Sequence, residues 1–320
     1  MRKRALGRSG LDVPPLCFGC NVLGWTVDEA AGFRLLDALR EAGLTFLDTA
    51  DIYSAWAPGN SGGESETIIG RWLRRSGGRD EVTLATKVGG KMGSSPGGLS
   101  AAHIQEAADA SLRRLGTDRI DLYISHFDDP DTPFEETLGA YARLIEAGKV
   151  RAIGASNHGA ARLREALAVS ARTGLPRYES LQPEYNLYDR AAYEAELEPL
   201  CRAEGLGVTP YYALASGFLT GKYRSAADLD KSPRGAKAGR YLDARGHRIL
   251  AALDRAAAEH AATPAAVALA WLMARPGLTA PIASATTPAQ VADLAAAVRL
   301  TLSPSTIQDL DEASRPDQAG

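Results

Sequence analysis

Eight short apolar runs recur along the chain, each followed by a stretch with helical periodicity, and this alternation narrows the fold more than any other feature. The runs are PLCFGC (15–20), TFLDT (45–49), VTLATK (82–87), DLYISH (121–126), VRAIGAS (150–156), ESLQ (179–182), GVTPYY (207–212) and TAPIAS (279–284). Amphipathic stretches such as DEAAGFRLLDALREAG (28–43) and PFEETLGAYARLIEAGK (133–149) lie between them. After GVTPYY comes a long loop, then a helical pattern around 248–260. Strands joined through helices pair in parallel, and eight such units close a (β/α)8 TIM barrel of the α/β class. An open doubly wound sheet is the alternative, and it is weakened because no strand-to-helix turn carries G-x-G-x-x-G. Residues 1–14 are expected to form a hairpin plugging the bottom, and an extra C-terminal helix runs from about Ser303 to Ser314. No stretch has the composition of an interdomain linker, so one domain is expected over 1–320.

Charge and cysteine usage remove several functional classes. A net charge of −3 argues against a protein that coats nucleic acid or an anionic membrane. There is no apolar run long enough for a bilayer span and no apolar h-region behind the basic start, so a cytoplasmic protein is expected. Cys17, Cys20 and Cys201 are too few for a disulfide framework and fit a reducing compartment. CFGC (17–20) has redox or metal spacing, but zinc needs further ligands and no His stands near Cys201. Small residues at a strand end are the simpler reading, and no metal site is expected.

In a (β/α)8 barrel the chemistry sits at the carboxyl ends of the strands. Three successive runs end there on Asp48, Lys87 and His126, with 39 residues between each neighbouring pair, close to one βα unit. Tyr53 follows Asp48 closely enough to fold back over the same mouth, and Asn157 and Gln182 extend the ring. Singly, each has a plain alternative: a helix-capping Asp, a Lys reaching water, a satisfied core His. Their convergence on one face makes those alternatives improbable together. A phenol is a poor acid, with a pKa of about 10. A buried ammonium beside it is expected to lower that value, and a carboxylate to orient the ammonium. The set then provides a general acid for a developing alkoxide, with an imidazole to polarise a carbonyl oxygen. Asp51 reads as a turn or capping residue.

These segments resemble the aldo-keto reductase superfamily. FLDTADIY, ATKVGG, DLYISH, GASNH, LQPEYN, PYYALASGFLTGKY and PIASATTPAQ look like its motifs, in family order and across essentially the full length. The resemblance implies a barrel that binds NAD(P)H across its strand ends and passes hydride between nicotinamide C4 and an aldehyde or ketone. It makes Tyr53 the proton donor, Lys87 and Asp48 its partners and His126 the carbonyl-orienting group. It assigns Ser156, Asn157 and Gln182 to the nicotinamide amide, Tyr211 to stacking on the ring, and Gly19 and Cys20 to the strand beneath it. Leu214, Ser216, Gly217 and Lys222 match the segment that cradles the pyrophosphate, where Gly217 and Gly221 let backbone approach closely. GFLTGK alone lacks the spacing of a phosphate-binding P-loop.

From Lys222 to Arg248 there are eight Lys or Arg against three Asp. A solvated loop and a flexible cover that brings charge to cofactor phosphates are both open readings, with Arg234 the first candidate contact. Ser284, Thr286, Gln290 and Asp293 fall where the family binds the adenosine half. Many members place Lys or Arg near Thr286; hydroxyls there hold a 2′-phosphate more weakly. NADP(H) is the family default, and NAD(H) or dual use stays open. Trp25 and Trp56 fall on loops near the mouth and offer stacking surfaces to a small-molecule carbonyl substrate. The rivals are a cofactor-binding regulatory subunit of the channel β-subunit type, which lacks the His, and a lyase using Lys87 as a Schiff-base amine. A metal isomerase built on Asp48 and His126 lacks the further carboxylates such a site needs. Neither the carbonyl substrate nor the oligomeric state is legible.

Overall fold

The computed structural model describes residues 1–93 and 97–316. The hairpin forms from β1 (Arg4–Ala5) and antiparallel β2 (Asp12–Val13). The barrel strands are β3 (Cys17–Gly19), β4 (Phe46–Asp48), β5 (Thr83–Val88), β6 (Ile120–Ser125), β7 (Val150–Ser156), β8 (Tyr178–Gln182), β9 (Gly207–Val208) and β10 (Ile282–Ala283). All eight pair in parallel, in the order β10-β3-β4-β5-β6-β7-β8-β9. The remaining seam is closed where the amides of Thr279 and Ala280 donate to Val208 O (2.8 and 3.2 Å) and Ile282 N donates to Pro210 O (2.9 Å). The fold is therefore the expected (β/α)8 barrel.

Strands β9 and β10 shrink most from their apolar runs, to two residues each. Pro210 and Pro281 have no N–H to give to a ladder, so pairing around them thins to single bridges. The barrel lumen is filled by Cys17, Phe46, Ala85, Leu122, Ile124, Ala152, Ala280 and Ile282. Leu6, Leu11 and Val13 of the hairpin join that cluster from below, the plug the sequence anticipates. Gly7 fixes the plug: its φ is +58°, and a Cβ there would sit 2.2 Å from Glu179 O.

Helices α1 (Glu29–Glu41), α2 (Glu64–Ser76), α3 (Ala101–Leu115), α4 (Phe134–Glu146), α5 (Ala160–Thr173) and α6 (Glu198–Glu204) follow β3 to β8 in turn. Asp28 and Ser100 cap α1 and α3 by accepting from Ala31 N and His103 N. After β9 come a one-turn α7 (Gly235–Ala238), α8 (Ala244–Glu259), α9 (Pro264–Ala274) and, beyond β10, α10 (Pro288–Arg299) and α11 (Pro304–Ser314). The helical pattern near 248–260 is thus α8, an addition that packs on α11. The unit helix of β9 is α9, which the sequence pattern did not single out. It is apolar on every side and buried from Ala266 to Met273, because α8 and α10 cover what the barrel leaves open. No described helix is long and apolar enough to cross a membrane.

Candidate functional site

Strand register decides which side chains meet at the mouth. Gly19 lies beside Asp48, and Asp48 beside Ala85, so Lys87 projects two residues above that pair. A bulge at Ile153/Gly154 then sets Ser156 opposite Gln182. A Cβ on Gly154 would approach Ser180 Oγ to 2.3 Å, so any larger residue at the bulge would force the Ser180 side chain to move. Tyr53 arrives on the turn after β4. That turn is pinned to the β3–α1 loop: buried Ser54, at φ +74°, donates to Leu23 O (2.6 Å), and Asn60 Nδ2 donates to Gly24 O (2.7 Å).

Lys87 is the hub. Fully buried, its ammonium donates to Asp48 Oδ2, the Thr49 carbonyl and the Tyr53 hydroxyl, each at 2.7 Å. Three acceptors match the three N–H donors of an ammonium. The Tyr53 hydroxyl donates in turn to Asp48 Oδ2 (3.2 Å), and Gln182 Nε2 donates to Asp48 Oδ1 (2.9 Å). His126 stands edge-on to Tyr53, with ring centroids 6.0 Å apart. Its Nδ1 is buried without a hydrogen-bond partner among the described residues. Burial and the Lys87 charge push the imidazole well below its usual pKa, so it is neutral.

One expectation is overturned. Burial and the neighbouring Asp48 carboxylate push the Tyr53 phenol well above its ordinary pKa, rather than Lys87 pulling it down. The hydroxyl is protonated at rest because burial disfavours a phenolate and the shared Asp48 carboxylate opposes a second negative charge, while the ammonium supports one. A proton donor needs that resting state. Asp51 is, as anticipated, a turn residue whose Oδ1 accepts from Ile52 N (2.6 Å), but it is also 98% hidden from solvent. Burial, and then the Glu66 carboxylate, push it up to about 7.

The polar residues of β7 and β8 join the same mouth. Ser156 Oγ donates to Gln182 O (2.9 Å), and Asn157 Nδ2 donates to His126 O (2.8 Å). Asn157 holds a left-handed backbone, φ +57°, and its Oδ1 accepts from the Tyr211 hydroxyl (2.9 Å), which places that ring beside the amide cluster. Gly19 stands against Ser284, whose Oγ would lie 2.8 Å from a Cβ there. Cys20 is buried with its thiol on Phe18 O, and both thiols of CFGC are pushed up by burial, the opposite of a reactive pair.

The strap from Lys222 to Tyr241 is not the loose loop its composition suggests. It folds into short turns over 226–231, 235–238 and 239–241. Arg224 grips Asp254 of α8 with two 2.7 Å bonds, and Arg240 reaches Glu184 (2.7 Å) and Asp189 (3.1 Å). Lys222 and Arg234 form no ion pair among the described residues. Arg234 donates to Asn21 Oδ1 (3.2 Å) and lies over the Trp25 ring (5.6 Å), and Asn21 also accepts from Ser284 (3.0 Å). Asn21 was not singled out from sequence, although it follows Cys20 at the strand end. Leu214, Ser216 and Gly217 form the turn before the strap, with φ of +57° and +92° at the latter two. Thr286 N and Oγ1 both donate to Gln290 Oε1 (2.7 and 3.1 Å), while Asp293 is exposed on α10. Trp25 and Trp56 meet edge-on at 5.8 Å, and Trp56 meets Tyr53 at 6.0 Å.

Comparison with known proteins gives a consistent result. A model of the Aldo/keto reductase family matches residues 15–315. The chain is 37% identical over 316 residues to the uncharacterized oxidoreductase YrpG of Bacillus subtilis, covering 96% of this chain and 94% of that one. It is 32% identical to an aldo-keto reductase of Schizosaccharomyces pombe whose name specifies NADP(+), over 94% of this chain and 88% of the other. It is also 36% identical to a probable voltage-gated potassium channel subunit beta of Oryza sativa, over 92% and 90% respectively.

Proposed function

The chain belongs to the aldo/keto reductase family, a family of oxidoreductases, and from that membership we propose that it reduces an aldehyde or ketone to the alcohol, reversibly, using NADP(H). The observation that carries this reading is the single ammonium shared by Tyr53 and Asp48 beside a neutral His126. The Tyr53 hydroxyl gives its proton to the carbonyl oxygen as negative charge builds there. Lys87 stabilises the phenolate left behind, and Asp48 balances the ammonium so that the buried site carries no uncompensated charge. His126 steadies the carbonyl oxygen as a neutral hydrogen-bond donor.

The residues present fit a nicotinamide cofactor. The amide and hydroxyl cluster of Ser156, Asn157 and Gln182 suits a carboxamide, and Tyr211 offers a ring face. Gly19 keeps backbone close to Ser284. Among the described residues Lys222 and Arg234 of the strap have no carboxylate partner, and burial lowers the Arg234 pKa, a sign of an incompletely compensated charge. These two would hold phosphate, with Leu214, Ser216 and Gly217 beneath, and Ser284, Thr286, Gln290 and Asp293 would face the adenosine half. When bound, the cofactor supplies or accepts the hydride.

The likeness to the rice channel subunit favours a second reading, a cofactor-binding regulatory subunit. Single-turnover oxidation of bound NADPH by a reactive aldehyde distinguishes them: fast, complete oxidation supports the enzyme, and none supports the subunit. The lyase reading is opposed by Lys87 itself, since three acceptors around its nitrogen favour the ammonium over a nucleophilic amine. A panel of carbonyls with NADPH and NADH side by side tests the main proposal. Absence of carbonyl-dependent cofactor oxidation across that panel would sink it.

A further inference from the structure

His158 follows Asn157 and is 2% exposed, so it has almost no surface to offer a ligand. Its ring meets those of Phe134 on α4 and Tyr178 on β8, with centroids 6.4 and 5.7 Å away. Its Nδ1 lies 2.8 Å from Ser156 O. A carbonyl oxygen only accepts, so Nδ1 carries the hydrogen and Nε2 of the neutral ring keeps a lone pair. Burial pushes the imidazole below its usual pKa, which keeps it neutral. Nε2 has no hydrogen-bond partner among the described residues, and Asp128, 3.7 Å away, is held by Arg162 at 2.8 and 3.0 Å. A phenylalanine would fill the same space without stranding a nitrogen. What the imidazole adds over a plain ring is its bond to Ser156.

That bond closes a loop over Asn157, whose backbone is left-handed at φ +57°. For a residue with a Cβ that conformation is strained, and it persists only where the surroundings hold it. The turn aims the Asn157 amide: Nδ2 donates to His126 O (2.8 Å) and Ser156 Oγ (3.2 Å), and Oδ1 accepts from the Tyr211 hydroxyl (2.9 Å). A seat for a carboxamide and a ring for stacking thus depend on one backbone conformation. Resting on the nicotinamide-dependent reductase reading, we propose that His158 is a positioning residue: its Nδ1–H locks the turn at Asn157 and so presets the groups that seat the nicotinamide. It acts through Ser156 and Asn157, touching neither cofactor nor carbonyl.

Two variants separate the bond from the ring. His158→Phe keeps the ring and removes the donor; His158→Asn keeps an amide nitrogen near the place of Nδ1 and removes most of the ring. Dissociation constants of the full chain are measured for NADPH and for 2′-phospho-ADP-ribose, the same cofactor without its nicotinamide. NADH and ADP-ribose serve as the parallel pair. His158→Phe should weaken NADPH about three- to tenfold, the scale of one hydrogen bond, and leave the fragment within about twofold. His158→Asn should hold NADPH within about twofold, while its urea midpoint falls below that of His158→Phe because the lost ring leaves a cavity. A packing role alone predicts the opposite order, with affinity following stability. NADPH affinity unmoved by His158→Phe, an equal loss for the fragment, or an equal loss in His158→Asn overturns the positioning role. If NADPH binds and no carbonyl oxidises it, the reductase reading fails while the affinity series still decides His158. A wild-type chain that binds neither cofactor ends both.

Discussion

The two halves of the barrel mouth are built on opposite principles. Over β4 to β8 the polar groups are bonded to one another around a buried ion pair: Lys87 has all three donors in use, Asp48 accepts from three residues, and Asn157, exposed at the rim, is clamped between His126 and Tyr211. Over β9 and β10 the groups are half-exposed or exposed, and the strap is fastened at its ends by Arg224 and Arg240 while Lys222 and Arg234 have no ion-pair partner among the described residues. The first half is preorganised and stays as it is during a reaction; the second has charge to offer a ligand and contacts it can exchange. The difference separates proton chemistry and the seating of the nicotinamide, which need fixed geometry, from the holding of the cofactor's phosphates, which needs reversible contacts.

If that division holds, changes in the first half should damage rate or stability heavily, and changes in the second should move binding. The largest effect is expected for Tyr53→Phe, which removes the transferable proton and should lower kcat about 10³-fold with the NADPH dissociation constant unchanged. Stopped-flow reduction rates beside fluorescence titration measure both, and a parallel loss of cofactor affinity would break the division. Next is Lys87→Met. It leaves Asp48 buried without its cation and should cost about 3–5 kcal/mol in urea unfolding, whereas the equivalent change at exposed Lys222 should cost almost nothing.

Asp51 sharpens the contrast through pH. Its folded pKa, about 7, lies above the ordinary aspartate value of 3.8. Between those values the folded state holds a proton that the unfolded chain releases, so this group makes stability fall as pH rises. The full cost, on the order of 4 kcal/mol from the shift itself, is reached above pH 7 and is absent below pH 4. Asp51→Asn should flatten that slope in urea midpoints measured from pH 4.5 to 8. An unchanged slope would mean that Asp51 is not the buried group that titrates.

Most of the fold was legible because strands buried on both faces announce themselves as apolar runs. Helix α9 was not, since a helix buried all round has no amphipathic stripe to detect. The site was legible for the same reason as the strands: Asp48, Lys87 and Gln182 end apolar runs, and His126 follows one directly. What sequence did not show was which neighbour prevails. It gave Tyr53 an ammonium partner, but not that burial, and then Asp48 receiving the same hydroxyl, would set the sign of the shift. Phe127 and Asn21 sit next to positions that were identified, yet only coordinates show one stacking on His126 and the other bridging Arg234 to Ser284.

The smaller effects belong to the strap. Arg234→Ala should raise the NADPH dissociation constant about tenfold, the scale of one charge-assisted hydrogen bond, while kcat at saturating cofactor stays within about twofold. The loss should shrink at high salt, because the interaction is between a half-exposed cation and phosphate. The last and smallest change tests the adenosine side. Gln290 Oε1 already accepts from both Thr286 donors, and neither of these two neutral residues brings a positive charge to an extra phosphate. Thr286→Arg should therefore shift the NADPH-to-NADH ratio of kcat/KM upward about threefold to fivefold, on an exposed site where stability changes little. A ratio that does not move would place the 2′-phosphate elsewhere on the rim, most directly against Arg234, and would join the two tests into one: Arg234→Ala would then penalise NADPH and spare NADH.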